Sequence, residues 1–142
     1  GVFADGSFIF AQRYCHDLEK WKKLKVDAQQ QVIGRTKLES IELDEDVQPE
    51  NSHVSRTVVE DDAGNEMEIL RHSLPYGDGK GDQGLFFIAY TKDLSIIDAM
   101  LERMFGTSGD GIHDRLLHFV TALDGAYYFA PSEELLEEVL ED

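Results

Sequence analysis

Four short runs of aromatic and aliphatic residues along the chain predict β-strands. The first and third runs are apolar at successive positions, which is typical of strands that are covered on both faces of a sheet. Turn signals precede the first run, at Asp5-Gly6, and separate the second from the third, at the glycine-rich segment 77–81. The predicted strands cover residues 7–14, 69–76, 84–90 and 126–130.

Apolar residues at helical spacing predict helices between and after these strands. Asp27 and Ser132 are suitable N-caps, whereas Gly34 and Gly106 are suitable helix ends. The terminal helix after Ser132 is acidic, and we expect its apolar side to face inward. That side consists of Leu135, Leu136, Val139 and Leu140. The other predicted helices cover residues 16–24, 28–33 and 94–104, with one further helical stretch over 114–121.

The order of these elements predicts an α+β domain over residues 1–142. Strand, helix, strand, strand, helix, strand is the ferredoxin-like βαββαβ order, which gives a four-stranded antiparallel sheet with helices on one face. Residues such as Phe86, Phe87 and Ile88 leave no polar side to face water. The other face of the sheet therefore requires a second domain, a partner subunit or a large apolar ligand.

The net charge argues against two classes of binding partner, and the cysteine content indicates the cellular compartment. The formal net charge is −16, from 29 acidic against 13 basic residues, which argues against nucleic acid and against an anionic membrane surface. The sequence has no apolar run of the length that crosses a bilayer. Cys15 is the one cysteine, so no internal disulfide can form, and a reducing, cytoplasmic location is expected.

The residues alone indicate few candidate catalytic or metal-binding sites. Residues 35–68 form a long, acidic and weakly periodic stretch, and such stretches inside compact domains are usually functional. The five histidines lack a metal-ligand spacing, and no G-x-S-x-G nucleophile motif occurs. Segment 77–81 lacks the phosphate-loop pattern and is better interpreted as a hairpin loop.

A family resemblance adds what the residues alone do not. Five segments, in order and correctly separated, resemble the C-terminal half of bacterial dye-decolorizing (DyP-type) haem peroxidases. Together they extend over nearly the whole chain. The segments are IGRTK (33–37), ENSHVSRT (50–57), ILRHSLPYG (69–77), GLFFIAY (84–90) and GAYYFAPS (125–132).

The resemblance implies haem b as cofactor and a role for five residues. His53 matches the histidine that binds the haem iron, and Asp114 matches its carboxylate partner, although Asp114 also suits a helix N-cap. Arg71 matches the arginine on the peroxide side of the haem, and Ser73 matches a polar residue beside it. Arg35 is expected to pair with a haem propionate.

The resemblance also implies partners. They are hydrogen peroxide, an aromatic reducing substrate such as a dye or phenol, and further copies of the same protein in a homo-oligomer. The family's acid–base aspartate belongs to a G-x-x-D-G motif, and Asp5 lacks that spacing. A preceding ferredoxin-like half that carries the aspartate is therefore expected, and without it this chain should be inactive.

Two other functions stay open at the level of sequence. One is a non-catalytic haem-binding or iron-releasing protein, which would use the same pocket without turnover. The other is a small interaction domain of the same fold without a cofactor.

Overall fold

The computed structural model describes residues 4–78 and 81–141. Its four strands form one sheet in the order β2-β3-β1-β4, in which each neighbouring pair is antiparallel. This order confirms the ferredoxin-like prediction. The loop that joins the second strand to the third includes residues 79 and 80, which lie outside the described residues. The strands are β1 (Ser7–His16), β2 (Leu70–Gly77), β3 (Gln83–Thr91) and β4 (Val120–Ala130).

Five α-helices accompany the sheet in the described residues. Two of them end where predicted, because Gly34 and Gly106 adopt the left-handed conformation, with φ of 92° and 75°. No helix in 4–78 or 81–141 is long and apolar enough to cross a membrane. The helices are α1 (Leu18–Lys22), α2 (Val26–Ile33), α3 (His53–Thr57), α4 (Leu94–Phe105) and α5 (Glu133–Glu141).

Two predicted caps have different outcomes. Ser132 caps α5 as expected, since its Oγ accepts a hydrogen bond from the Leu135 backbone N–H at 3.2 Å. Asp27 does not cap α2, because that helix begins at Val26, two residues before the predicted start, after an extended Lys25 that makes no side-chain cap. Asp27 instead lies in the first turn, where its negative charge still interacts favourably with the helix dipole.

The predicted helical stretch over 114–121 is wrong in its second half. A single 3₁₀ turn covers Arg115–His118, and β4 begins at Val120. The strand starts early because His16 and Cys15 of β1 pair with Val120 and Thr121 beyond a register shift. This long-range pairing satisfies backbone groups that a local helix would otherwise satisfy. β1 is likewise longer than predicted, and α1 is correspondingly shorter.

The helices cover one face of the sheet. Phe10, Ala89 and Ile97 form the buried core between β1, β3 and α4. On the opposite side, which we call the open face, several large apolar side chains are exposed. They are Leu70, Leu74, Phe86, Tyr90 and Tyr128. The described elements therefore leave the open face uncovered.

The inward orientation predicted for the apolar side of α5 is wrong within this chain. Leu136, Val139 and Leu140 are 48%, 64% and 76% exposed. The helix amphipathicity is present, but the described residues offer no surface against which these side chains pack.

Candidate functional site

An apolar cavity of roughly 260 Å³ lies between the sheet and the helices. All four strands and the helices α2, α3 and α4 contribute to its wall. Its apolar lining includes Phe10, Ile33, Phe87, Met100 and Leu116. Four predicted site residues also line it, namely Arg35, His53, Arg71 and Ser73. The fold thus brings together residues that are distant in sequence.

His53 and Asp114 form a close pair at one side of this cavity. His53 is the first residue of α3, and the helix begins there because the Ser52 Oγ accepts a hydrogen bond from the Ser55 N–H at 3.2 Å. The Nδ1 atom of His53 lies 2.6 Å from Oδ2 of Asp114, whose side chain is fully buried. A carboxylate oxygen accepts, so the imidazole is the donor through Nδ1–H. Its Nε2 lone pair is then available to a ligand.

Asp114 is also the N-cap that the sequence suggested as an alternative role. Its Oδ1 accepts a hydrogen bond from the Leu116 N–H at 2.8 Å, while its own backbone N–H donates to the Met104 carbonyl at 2.8 Å. The two roles use different carboxylate oxygens and are compatible. The cap and the backbone bond hold the carboxylate in position for His53.

Tyr14 is a cavity residue that the sequence did not single out. Its hydroxyl group hydrogen-bonds to the Gln12 side chain, on the same face of β1. Burial raises the pKa of Tyr14 to about 12, with a smaller contribution from the negative charge of Asp114. The phenol therefore stays neutral beside the buried carboxylate. The alternation of β1 could have placed Tyr14 on this face, but not next to Asp114.

Two arginines that the sequence did not single out, Arg56 and Arg103, join α3 to α4 by hydrogen bonds. Arg56, which is 1% exposed, donates through Nε to the Arg103 carbonyl at 2.9 Å and through Nη2 to Asp110 at 2.8 Å. Arg103 donates in return to the Ser55 carbonyl at 2.7 Å. The Ile112 backbone N–H, followed by the Arg56 guanidinium, lowers the pKa of Asp110 to about 2. These reciprocal bonds orient the short helix that carries His53.

Arg71 and Ser73 project from β2 toward the cavity. They are two residues apart and pair with Ala89 and Phe87 of β3, which puts both on the face of the sheet that the helices cover. Both are exposed at the cavity rim. Arg71 makes no ion pair with any residue in 4–78 or 81–141, so its guanidinium is available to a bound anion.

Arg35, in contrast, already has a partner. It forms an ion pair with Glu42 and donates a hydrogen bond to the Ser40 carbonyl at 3.0 Å. Its side chain is 36% exposed and lines the cavity. An acidic ligand would therefore have to compete with Glu42 for the guanidinium.

A second histidine, His16, also lines the cavity. It lies at the end of β1, and burial lowers its pKa from the usual value. Among the described residues, no side chain hydrogen-bonds to its ring. His53 differs because Asp114 fixes its tautomer and orientation, as is usual for metal-binding histidines.

The donor set fits a haem. His53, whose Nδ1 is engaged by Asp114, lines an apolar cavity, and a haem would need a nitrogen ligand for its iron and apolar surroundings. Arg71, which has no ion-pair partner in 4–78 or 81–141, would offer positive charge to an acidic group of such a ligand, and Arg35 would do so in competition with Glu42. His53 would hold the iron.

Comparison with known proteins shows the family. Residues 1–135 match the family model described as "Dyp-type peroxidase, C-terminal", and the chain belongs to this family. It is 43% identical to the dye-decolorizing peroxidase of Mycobacterium tuberculosis over 136 residues, which is 95% of this chain and 41% of the relative. It is 40% identical to that of Rhodococcus erythropolis over 137 residues, 96% of this chain and 40% of the relative. The chain thus spans about two fifths of the length of these relatives.

Solved structures agree with the fold. A dye-decolorizing protein from V. cholerae has a TM-score of 0.90 at 48% identity, with 97% of this chain and 45% of that chain covered. DyPB from Rhodococcus jostii RHA1 has a TM-score of 0.91 at 45% identity, with 95% and 44% covered. Variants of the latter protein were solved in complex with heme. The predicted family and fold are confirmed, while the roles of the five site residues stay predictions.

Proposed function

We propose that this chain is the C-terminal domain of a longer haem b peroxidase, which reduces hydrogen peroxide and oxidises aromatic dyes or phenols. The observation that carries this proposal is the His53–Asp114 pair at the apolar cavity. An imidazole that donates to a buried carboxylate is more basic at its other nitrogen and keeps one orientation. Bound haem would supply the redox-active iron.

The His53–Asp114 pair suits a peroxidase because it adds negative charge to the iron ligand. The carboxylate is fully buried, and water therefore screens it weakly. With haem bound, its hydrogen bond to Nδ1–H would make the imidazole a more electron-rich ligand, which would favour oxidised iron over reduced iron. The pair does so without any movement, since both residues are already held by caps.

Arg71 is proposed to act on peroxide. Breakage of the O–O bond leaves negative charge on the departing oxygen, and a guanidinium at the rim stabilises that charge. Ser73, on the same strand face, would add a polar lining that donates or accepts a hydrogen bond. Arg35 would hold a haem propionate, in competition with its present partner Glu42.

The preceding half of the longer protein is proposed to cover the open face and to supply the acid–base aspartate. The two-fifths coverage of the relatives leaves room for a domain of at least this size. The exposed apolar side chains of the open face, such as Phe86 and Tyr128, are suited to pack against a second sheet. We refer to the longer protein as the full-length protein below.

The experiment compares the full-length protein with free haemin at equal haem concentration. We expect peroxide-dependent oxidation of an anthraquinone dye well above the haemin rate. A protein that binds haem with the spectrum of a histidine ligand but oxidises dye no faster than haemin would instead be a haem carrier. A protein that develops no Soret band after haem addition would contradict the haem proposal itself.

A further inference from the structure

Two exposed histidines outside the cavity lie against each other. His113 and His118 are at the two ends of the segment that contains the 3₁₀ turn, and their Nε2 atoms are 2.8 Å apart. Their ring centroids are 5.0 Å apart. Neither residue lines the cavity that His53 faces. The functional site described above therefore does not use this pair.

The fold holds the backbone of both residues independently of their rings. The residue after His113 is Asp114, whose N–H and carboxylate are both engaged. The His118 carbonyl accepts a hydrogen bond from the Lys20 Nζ at 2.8 Å. The fold therefore keeps the two backbone segments in place, and the ring-to-ring hydrogen bond sets the separation of the two Nε2 atoms.

We propose that His113 and His118 form a surface site for a divalent transition metal ion of the Cu²⁺ or Ni²⁺ class. In the metal-free pair, one Nε2–H donates to the lone pair of the other Nε2, so a single proton occupies the space between two nitrogen ligands. A metal ion takes both Nε2 lone pairs after the donor ring has moved its proton to Nδ1 by exchange with solvent, so both imidazoles bind as neutral Nδ1–H tautomers. Imidazole nitrogen is a favoured ligand of this class of ion.

The separation of the two nitrogens, which is also the length of the hydrogen bond between them, is compatible with a square or octahedral ion. With metal–nitrogen bonds of about 2.0–2.1 Å, neighbouring ligands of a square or octahedral ion lie about 2.9 Å apart, and those of a tetrahedral ion about 3.4 Å. The 2.8 Å separation is close to the first value. Each ring must turn so that both lone pairs point to one centre, and exposed imidazoles turn easily about their terminal torsion. Water completes the coordination.

Some of the charges around the histidine pair favour the binding of a cation, and others oppose it. The chain carries a formal net charge of −16, which attracts cations. The Lys20 ammonium at the His118 carbonyl opposes a cation locally. Asp114 is not a ligand, because its two oxygens are engaged by Leu116 and His53. The site therefore has two protein ligands and is distinct from the iron site.

Calorimetric titration of haem-loaded full-length protein with NiCl₂ tests the site, together with the nitrogen hyperfine pattern of bound Cu²⁺ in electron paramagnetic resonance. We expect one site and a Cu²⁺ spectrum with two nitrogen ligands. His113→Asn and His118→Asn should each weaken Ni²⁺ binding on the order of 100-fold, because a chelate loses its second ligand. His72→Asn, at a histidine of β2 outside the pair, is the control and should leave binding unchanged.

Three results would overturn the proposal. They are the absence of Ni²⁺ binding by the wild-type protein, binding that neither substitution weakens, and binding that only one of them weakens, which would indicate a single surface imidazole. An unchanged Soret spectrum in each variant establishes that the neighbouring Asp114 and the haem site are intact. Tighter binding of Zn²⁺ than of Ni²⁺ would contradict the square or octahedral geometry.

Discussion

The imidazole of His53 and the carboxylate of Asp114 lie 2.6 Å apart, although 61 positions separate them in the chain. Their meeting depends on two independent anchors, the Ser52 cap of α3 and the Asp114 cap of the 3₁₀ turn. A backbone hydrogen bond of 2.9 Å from the Arg115 N–H to the Asn51 carbonyl joins the two segments directly. The pair is thus built into the fold before any ligand binds.

Replacement of the proposed iron ligand provides the first prediction. His53→Ala in the full-length protein should abolish stable haem binding, because the cavity loses the only imidazole that a carboxylate orients among the described residues. His16→Ala removes the other cavity histidine and should retain the wild-type Soret spectrum. Absorbance after haem titration measures both. A normal ferric spectrum in His53→Ala would show that His53 is not the iron ligand. Loss of that spectrum in His16→Ala alone would show that His16 is the ligand instead.

Removal of the carboxylate charge provides the second prediction. Asp114→Asn keeps an oxygen to cap the turn but weakens the hydrogen bond to His53, so we expect the reaction with peroxide to slow by roughly 10- to 100-fold. The reduction potential of the iron should rise, because less negative charge reaches it. Asp93→Asn makes the same change at the N-cap of α4, away from the cavity, and is the matched control. An unchanged potential in Asp114→Asn would contradict the assigned role.

The arginine at the cavity rim provides the third prediction. Arg71→Ala should retain haem and slow the reaction with peroxide by roughly 10²- to 10³-fold, since one charged donor to the leaving oxygen is lost. Arg13→Ala removes another arginine from the sheet, one that pairs with Asp124 outside the cavity, and should react normally. Stopped-flow absorbance measures the rates. Equal rates for the two variants would remove Arg71 from the mechanism.

The buried arginine of α3 provides the fourth prediction. Arg56→Met should lower the free energy of unfolding by about 2–4 kcal/mol, because hydrogen bonds from a buried cation to α4 and its following loop are lost. It should also accelerate haem release, since α3 carries His53. Urea unfolding and haem transfer to apomyoglobin measure the two effects. Lys22→Met, at an exposed position of α1, should change stability by less than about 0.5 kcal/mol.

The neutral phenol in the cavity provides the fifth prediction. The pKa of Tyr14 is raised from 10.0 to about 12 in the folded protein, so the unfolded chain loses this proton first as the pH rises. The resulting stability is complete below pH 10 and is lost as the pH approaches 12, by up to about 2–3 kcal/mol. Tyr14→Phe should show a smaller fall in unfolding free energy between pH 9 and pH 11 than the wild type. An identical fall in both proteins would contradict the raised pKa of the buried Tyr14 phenol.

The boundaries that depend on near neighbours could be predicted from the sequence. Gly34 and Gly106 end their helices because a left-handed residue is needed there, and Ser132 caps α5 through a residue three positions away. Asp27 shows the limit of this reasoning, since its type is right for a cap but α2 starts one residue before it. The resemblance, and not the periodicity, distinguished His53 from the other histidines.

By itself, the sequence determined the four strand regions and the βαββαβ order, because local periodicity and turn chemistry encode them. The residues of the candidate site came from the family resemblance that the sequence carries. Only the tertiary structure decided which of these residues meet. The His53–Asp114 pair, the neutral Tyr14 beside it and the reciprocal bonds of Arg56 and Arg103 all join segments that are distant in the chain. The early start of β4 has the same origin, since pairing with β1 outweighs local helical preference. Such contacts depend on how the elements pack, and no short window of sequence contains that information.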